Sequence, residues 1–351
     1  MGKIGIVDAD LLDKGTRFPN LAAMKIAGYW KNQGSDVQLC LAANDAEDCD
    51  RLFVSKVFTK TKIPEWLRRF DDRCEFGGTG FSLFKAEQLP SAVEHSKPFY
   101  DLYAPFVESF GAKKPHWMEL YTKASIGFTS RGCFRRCSFC VNRNKTCSEK
   151  WSPVKEFLDK SRPHIVLLDD NVFACKDWRE IFDELDATGK SFVYKQGVDI
   201  RLMTHDKAKA LAKSKNYGDL YFAFDNPADE KEFRFGAKRF RAYCDKAARA
   251  FLLCGYHYNG VEELNSLFKR LDAVSDYGIL QYIMRHENYL NDKYRALYID
   301  LARWTNQAWF FKKIPFSVFC ELHGSKKSKE LVKSNELKQF VPHFEKMFWQ
   351  Q

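Results

Sequence analysis

RGCFRRCSFC, residues 131–140, sets Cys133, Cys137 and Cys140 at C-x3-C-x2-C spacing among arginines and aromatics. A structural zinc site asks for four ligands, usually two C-x2-C-like pairs. Here Cys147 or His164 would have to close the shell, and neither stands at a typical distance in sequence. Iron–sulfur clusters are also held by thiolates. Three cysteines around a four-iron cluster leave one iron with an open position, and an open position is where a metal centre takes substrate or cofactor. The spacing therefore reads as a metal centre of one of these two kinds.

Working outward, ASIGFTS (124–130) runs into the loop as a strand. It is followed by strand patterns HIVLLDD (164–170), SFVYKQGVDI (191–200), DLYFAFD (219–225), RAFLLCGY (249–256) and GILQYIMR (278–285). Helical stretches such as KDWREIFDELDATG (176–189) and HDKAKALAKSK (205–215) lie between them, with Thr204 and Asn259 placed as caps. Six strand–helix units over 120–310 predict a six-stranded partial (β/α)6, TIM-like barrel, whose chemistry would collect at the C-terminal strand ends. Those ends are polar in series: Asp169-Asp170-Asn171, then Gln196, Asp199 and Arg201, then Asp225-Asn226, His257 and Arg285. Any one of them also suits helix capping.

Before this barrel, IGIVDAD (4–10), DVQLCLA (36–42), RLFVSKVF (51–58) and CEFGG (74–78) read as strands, with NLAAMKIAGYWKNQG (20–34) a helix. The fold class is thus α/β. A small doubly wound, Rossmann- or flavodoxin-like domain over 1–110 precedes the barrel, and a helical extension over 311–351 follows it. In that extension GSKKSKELVKSNE (324–336) reads as a solvated linker, and Phe340, Phe344 and Phe348, four apart, as one face of a helix.

The chain has 351 residues and a net charge of +10. Residues 1–123 hold 17 Lys/Arg and 17 Asp/Glu, so the excess lies wholly in the second part. An anionic partner, nucleic acid among them, is consistent with that asymmetry. No stretch approaches the roughly 20 apolar residues of a membrane helix, and MGKIGIVDAD does not read as a signal peptide. The expected location is cytoplasmic, with the 11 cysteines as reduced thiols or metal ligands.

TSRGCFRRCSFC resembles the cluster loop of the radical S-adenosylmethionine (SAM) superfamily, and LLDDNVF, QGVDIRLMTHDKAKALAK, YFAFDN and LLCGY resemble its successive strand ends. GGTGF (77–81) and FPNLAAMK (18–25) are similar to the subgroup with a leading cobalamin-binding-like domain. The resemblance implies that Cys133, Cys137 and Cys140 ligate a 4Fe–4S cluster and that SAM chelates the fourth iron. An external one-electron reductant of flavodoxin or ferredoxin type would supply the electron, and the reduced cluster would cleave SAM to a 5′-deoxyadenosyl radical that abstracts hydrogen from a substrate of unknown identity. It further implies Phe139 on the adenine side, and Asp169, Asp170 and Asn171 as acceptors for the SAM amino group. Arg201 would bind its carboxylate, and Asp225 or Asn226 its ribose. Arg131, Arg135 and Arg136 would offset the anionic cluster.

The sequence departs from the subgroup at DADLLDKG (8–15), where Asp10 and Asp13 replace the His and Gly of D-x-H-x-x-G, so cobalamin as cofactor is doubtful. No further cysteine cluster is present for an auxiliary iron–sulfur centre, which argues against methylthio transfer. Two other readings stand beside hydrogen abstraction. One is a zinc- or cluster-stabilised nucleic-acid-binding module; the other is a cobalamin-dependent radical SAM methyltransferase.

Overall fold

The computed structural model describes residues 2–83 and 85–349. The first sheet consists of β1 (Lys3–Asp8), β2 (Asp36–Leu39), β3 (Arg51–Ser55) and β4 (Cys74–Gly77), all parallel, in the order β2-β1-β3-β4. β1 stops two residues short of the expected end, because the Asp8 carboxylate accepts from Leu11 N–H (3.2 Å) and so caps α1 (Ala9–Lys14). Asn20 likewise caps α2 (Leu21–Asn32), accepting from Ala23 N–H at 3.1 Å. Gly28 in α2 has to be glycine, since a Cβ there would lie 2.0 Å from the carbonyl oxygen of Lys97. The connector crosses the helix at that point, and Phe99 N–H donates to Met24 O at 2.9 Å.

The second array contains β5 (Ala124–Gly127), β6 (His164–Leu167) and β7 (Ser191–Tyr194), parallel and in chain order. A second parallel run contains β8 (Leu220–Ala223), β9 (Ala248–Cys254) and β10 (Leu280–Arg285). A parallel bridge between Val198 and Phe222 joins the two runs. The helices α3 (Trp178–Ala187), α4 (His205–Lys213), α5 (Glu230–Arg241), α6 (Gly260–Ser275) and α7 (Arg295–Asn306) follow the strands. One face of each of β6–β10 packs on these helices: Leu167, Tyr194, Phe222, Leu252 and Ile283 share a core with Phe182, Leu211, Phe240, Leu267 and Leu297. Thr204 caps α4 as expected, whereas Asn259 stands at the start of α6 without a side-chain cap bond.

The opposite face of β5–β7 packs on the first sheet. Ile126, Val166 and Val193 share one core with Ile4, Ile6 and Met24, and residues 97–121 run between them, contributing Tyr100, Tyr103, Met118 and Tyr121. The connector is therefore interior structure. Among the described residues, no helix is long and apolar enough to cross a membrane.

The tail differs from its expectation. The polar run contains α8 (Lys326–Val332), capped by Ser325, with Ser328 and Leu331 buried. Residues 335–348 do not form one helix: a 3-10 segment, Asn335–Phe340, leads into a single turn, Val341–Phe344. The four-residue spacing still serves burial. Phe340 and Phe344 lie 5.9 and 5.7 Å from the Phe268 ring, and Phe348 lies 5.9 Å from Trp304. Phe344 is fully buried, so Phe344→Ala should cost about 3–5 kcal/mol of unfolding free energy in a urea titration.

Candidate active site

Parallel pairing places the C-terminal ends of β5 and β6 at one edge, and the cysteine loop is hung there. Its neck is a short antiparallel pairing, Ser130 opposite Lys150 and Arg131 opposite Glu149. Asp169, just past β6 and fully buried, holds that neck with four hydrogen bonds. It accepts from the Thr129 and Ser130 N–H groups (3.0 and 2.5 Å) and from their hydroxyls (2.6 and 2.8 Å). Burial pushes the Asp169 carboxyl up to about 6, against the opposing effect of these donors. Asp170 accepts from Gly132 N–H at 2.7 Å and from the Asn142 amide at 2.6 Å, tying both flanks of the cysteine triad to β6. Gly132 sits at φ 95°, where a Cβ would meet Cys147 O at 2.3 Å. Arg136, at φ 51°, takes the left-handed conformation between the second and first cysteines' turns.

The three cysteines are half-buried. Arg135 N–H and the Asn171 amide approach Cys133 Sγ at 3.5 and 3.4 Å, and Asn142 N–H approaches Cys140 Sγ at 3.4 Å. Donors on sulfur favour the thiolate and tune a cluster bound there. Burial raises the Cys137 and Cys140 thiols, and each of the two also feels Cys133. Among the described residues, no three His, Cys, Asp or Glu side chains converge so as to hold a single metal ion. An iron–sulfur cluster does not require that convergence, because its thiolates bind separate irons.

Arg201 and Asp199 form the next layer. Asp199 accepts from Arg135 Nε and Arg201 Nε, both at 2.7 Å, and from the Asn171 amide at 3.4 Å. Despite burial, these arginines hold Asp199 below the usual carboxylate range. Arg201 also reaches Asp229, so its guanidinium is divided between two carboxylates. Arg131 pairs with Glu94 at 3.5 Å and lies over Phe128, and Arg136 is exposed. Among the described residues, Arg135 is the one of these three arginines whose ion pair lies within this strand-end network.

At the ends of β8 and β9, Asn226 caps the short 3-10 turn Pro227–Asp229 through Ala228 N–H at 3.0 Å. Asp225 differs: its Oδ1 is shut off from solvent with no partner among the described residues, and burial raises its pKa to about 6. Asn171 Oδ1 and His257 Nε2 are buried and unpartnered in the same way. Phe139 meets Tyr256 and His257 edge-on at 5.2 and 6.2 Å. Beside them a cavity of about 540 Å³ is lined by residues including Tyr256, His257, Asn259, Glu262, Asn288 and Tyr289.

Arg270 in α6 is a site residue that sequence reasoning passed over. It donates to Phe224 O, Asp225 O and Leu253 O at 3.4, 3.1 and 2.8 Å, and pairs with buried Glu263 at 3.0 Å. It thereby binds two strand ends together. Glu263, seven residues earlier on the same helix, was the available signal.

Two structures of the radical S-adenosylmethionine methyltransferase TsrM from Kitasatospora setae superpose with a TM-score of 0.54 at 12% identity. One holds cobalamin and a [4Fe-4S] cluster, the other tryptophan substrate and the SAM analog aza-SAM; 81% of this chain covers 75% and 73% of theirs. The chain shares their fold. No family model matches the sequence, and no curated protein matches it.

A buried carboxylate with one oxygen left bare is expensive in its charged form; at Asp225 burial outweighs the Leu253 N–H, Arg270 and Arg201 that favour the charge. With its folded pKa raised to about 6 from 3.8, Asp225 contributes stability below about pH 4 that is lost as pH rises through about 6. In the cluster-free protein, Asp225→Asn should therefore gain on wild type between pH 4 and pH 8, measured as urea midpoints at each pH.

Proposed function

We propose that this chain is a radical SAM enzyme in which Cys133, Cys137 and Cys140 hold three irons of a 4Fe–4S cluster and the fourth iron takes SAM. The observation that carries this reading is the cysteine loop itself. It is clamped by Asp169 and Asp170 at the C-terminal strand ends, with N–H donors on two of its sulfurs. The fold shared with the TsrM structures supports it, and the six parallel strands are then the open barrel of that class.

When bound and reduced, the cluster supplies the electron for reductive cleavage of SAM, leading to hydrogen abstraction from a substrate. The chain's own residues prepare that site. Asn171 donates to Cys133 Sγ and presents an unpartnered buried carbonyl oxygen, an acceptor suited to an ammonium group. Asp225 presents a free carboxylate oxygen suited to hydroxyl donors. Phe139 and Tyr256 give an apolar wall. Asp169 acts differently from its expected role, since both of its oxygens serve the loop neck. Arg201 would have to give up Asp229 or Asp199 to receive a carboxylate.

The residues at the edge of the first sheet do not fit a cobalt ligand. Asp10, at the histidine position, is buried and accepts from Val57 and Phe58 N–H (2.6 and 3.3 Å) and from the Thr61 hydroxyl (2.5 Å). It straps down the loop after β3.

After anaerobic reconstitution with iron and sulfide, the reduced protein should release 5′-deoxyadenosine from SAM, and the Cys133/137/140→Ala variant should hold no cluster. A loaded cluster that leaves SAM intact would sink the reading. Asn171→Ala, which removes a donor to a ligating sulfur, should lower cleavage about 10- to 100-fold. Cobalamin retained through gel filtration would instead favour methyl transfer.

A further inference from the structure

The two halves of the strand array are treated unequally on the face turned away from the helices. On β5–β7 that face carries Ile126, Val166 and Val193, at 0%, 0% and 5% exposure beneath the connector and first sheet. On β8–β10, strand alternation puts Tyr221, Ala223, Phe251, Leu280, Tyr282 and Met284 on the same face, because the residues between them lie in the helix-covered core. None of these six is buried, although Leu253 beside Phe251 is; Tyr221 leans on the core under the connector and Leu280 on the helix-side core, while Tyr282 and Met284 are 39% and 36% exposed. A large apolar strand face left open inside a folded chain is a binding surface in search of an occupant.

The surface has definite chemistry. Tyr221 stacks on Phe251 (5.4 Å, 9°), and Phe251 meets Tyr282 edge-on (5.9 Å, 86°), so three rings step across three strands. In the parallel register Phe251 stands opposite Ala223, whose short side chain leaves room beside the rings. Lys195, the first residue past β7, shares the face of Val193 by alternation, with Nζ 5.1 Å from the Tyr221 ring centroid. Among the described residues Lys195 pairs with no carboxylate, whereas nearby Arg249 is neutralised by Asp219 at 3.2 Å. Burial lowers the Lys195 ammonium below its ordinary range; Asp219 opposes that shift and Arg249 adds to it, so two cations share one carboxylate here. Phe139 of the cysteine loop meets Tyr256, two residues past β9, at 5.2 Å, so the loop stands at the C-terminal end of this sheet.

We propose that the uncovered face of β8–β10 is the substrate chamber, and that it takes a planar aromatic compound bearing one anionic group. The ring lies against Tyr221, Phe251 and Tyr282, and the anion meets Lys195. The assignment rests on the radical SAM reading, which requires a substrate held beside the cysteine loop. Aromatic pairing gives the rings their share of affinity, and a desolvated ammonium–carboxylate contact gives the selectivity for charge.

The test is calorimetric titration of the anaerobically reconstituted full chain with naphthalene-2-carboxylate and, separately, its neutral amide. The carboxylate should bind at least about tenfold more tightly than the amide. Lys195→Met should bring the two within about twofold, while Lys195→Arg keeps the preference and Tyr282→Ala weakens both. Lys195→Gln replaces Lys195→Met if that variant does not fold. Equal affinities in the wild type, a preference surviving in Lys195→Met, or no binding of the carboxylate overturns the proposal. Binding needs no turnover, so the two readings fail separately. SAM cleavage without probe binding removes the chamber alone. Probe binding beside a loaded cluster that leaves SAM intact removes the radical SAM reading and leaves a binding site.

Discussion

The candidate site depends on one buried carboxylate. Asp169 stands in the interior with four donors on it, all from Thr129 and Ser130. A charge there is tolerable only because its lone pairs are filled, and the same bonds leave the neck of the cysteine loop no alternative path. Because β5 and β6 are parallel, the end of one is adjacent to the start of the loop leaving the other. The carboxylate therefore acts over one strand spacing. Asp170 repeats the device one residue later, on Gly132 and Asn142. Cysteine spacing alone would permit many loop shapes; these two neighbours select one.

A second hub ties the loop to the first sheet. Glu94, on a single helical turn of the connector, accepts from Lys25 Nζ of α2 at 2.8 Å and from Trp151 Nε1 at 2.9 Å, and pairs with Arg131 at 3.5 Å. Lys25 and Glu94 are both buried, so either charge without the other would be strongly disfavoured. The pair joins the first sheet to both ends of the cysteine loop. With Asp10 spent on the loop after β3, the first sheet contributes support to the site through Glu94 and through the shared core around Tyr100 and Tyr121.

Much of this was legible in advance. Strand patterns at 164–170, 219–225 and 278–285 each contain the observed strand, since parallel strands covered by helices read as short apolar runs. The strand patterns overrun the observed strands where the backbone turns or a polar side chain takes up a local bond. Asp8 caps α1, and Gly197, at φ 85°, turns the chain after Tyr194. The tail departs from its pattern for a related reason. Its lysine-rich run hides Ser328 and Leu331 on one buried stripe, which composition does not reveal. Asp169, Arg201 and Asp225 were all singled out as polar strand ends, yet their environments differ completely. One is saturated with donors, one is shared between two carboxylates, and one has a bare oxygen.

The sequence by itself determined the cysteine spacing, the order and approximate extent of the strands, and the collection of polar residues at their C-terminal ends. These follow from local chemistry and periodicity, which act over a few residues. Only the tertiary structure decided which polar groups are already satisfied, that Arg270 binds two strand ends from behind, and that half of one strand face is covered while the other half lies open around Lys195. Burial and pairing of charge depend on groups brought together from distant parts of the chain, and a one-dimensional pattern carries no record of that closeness.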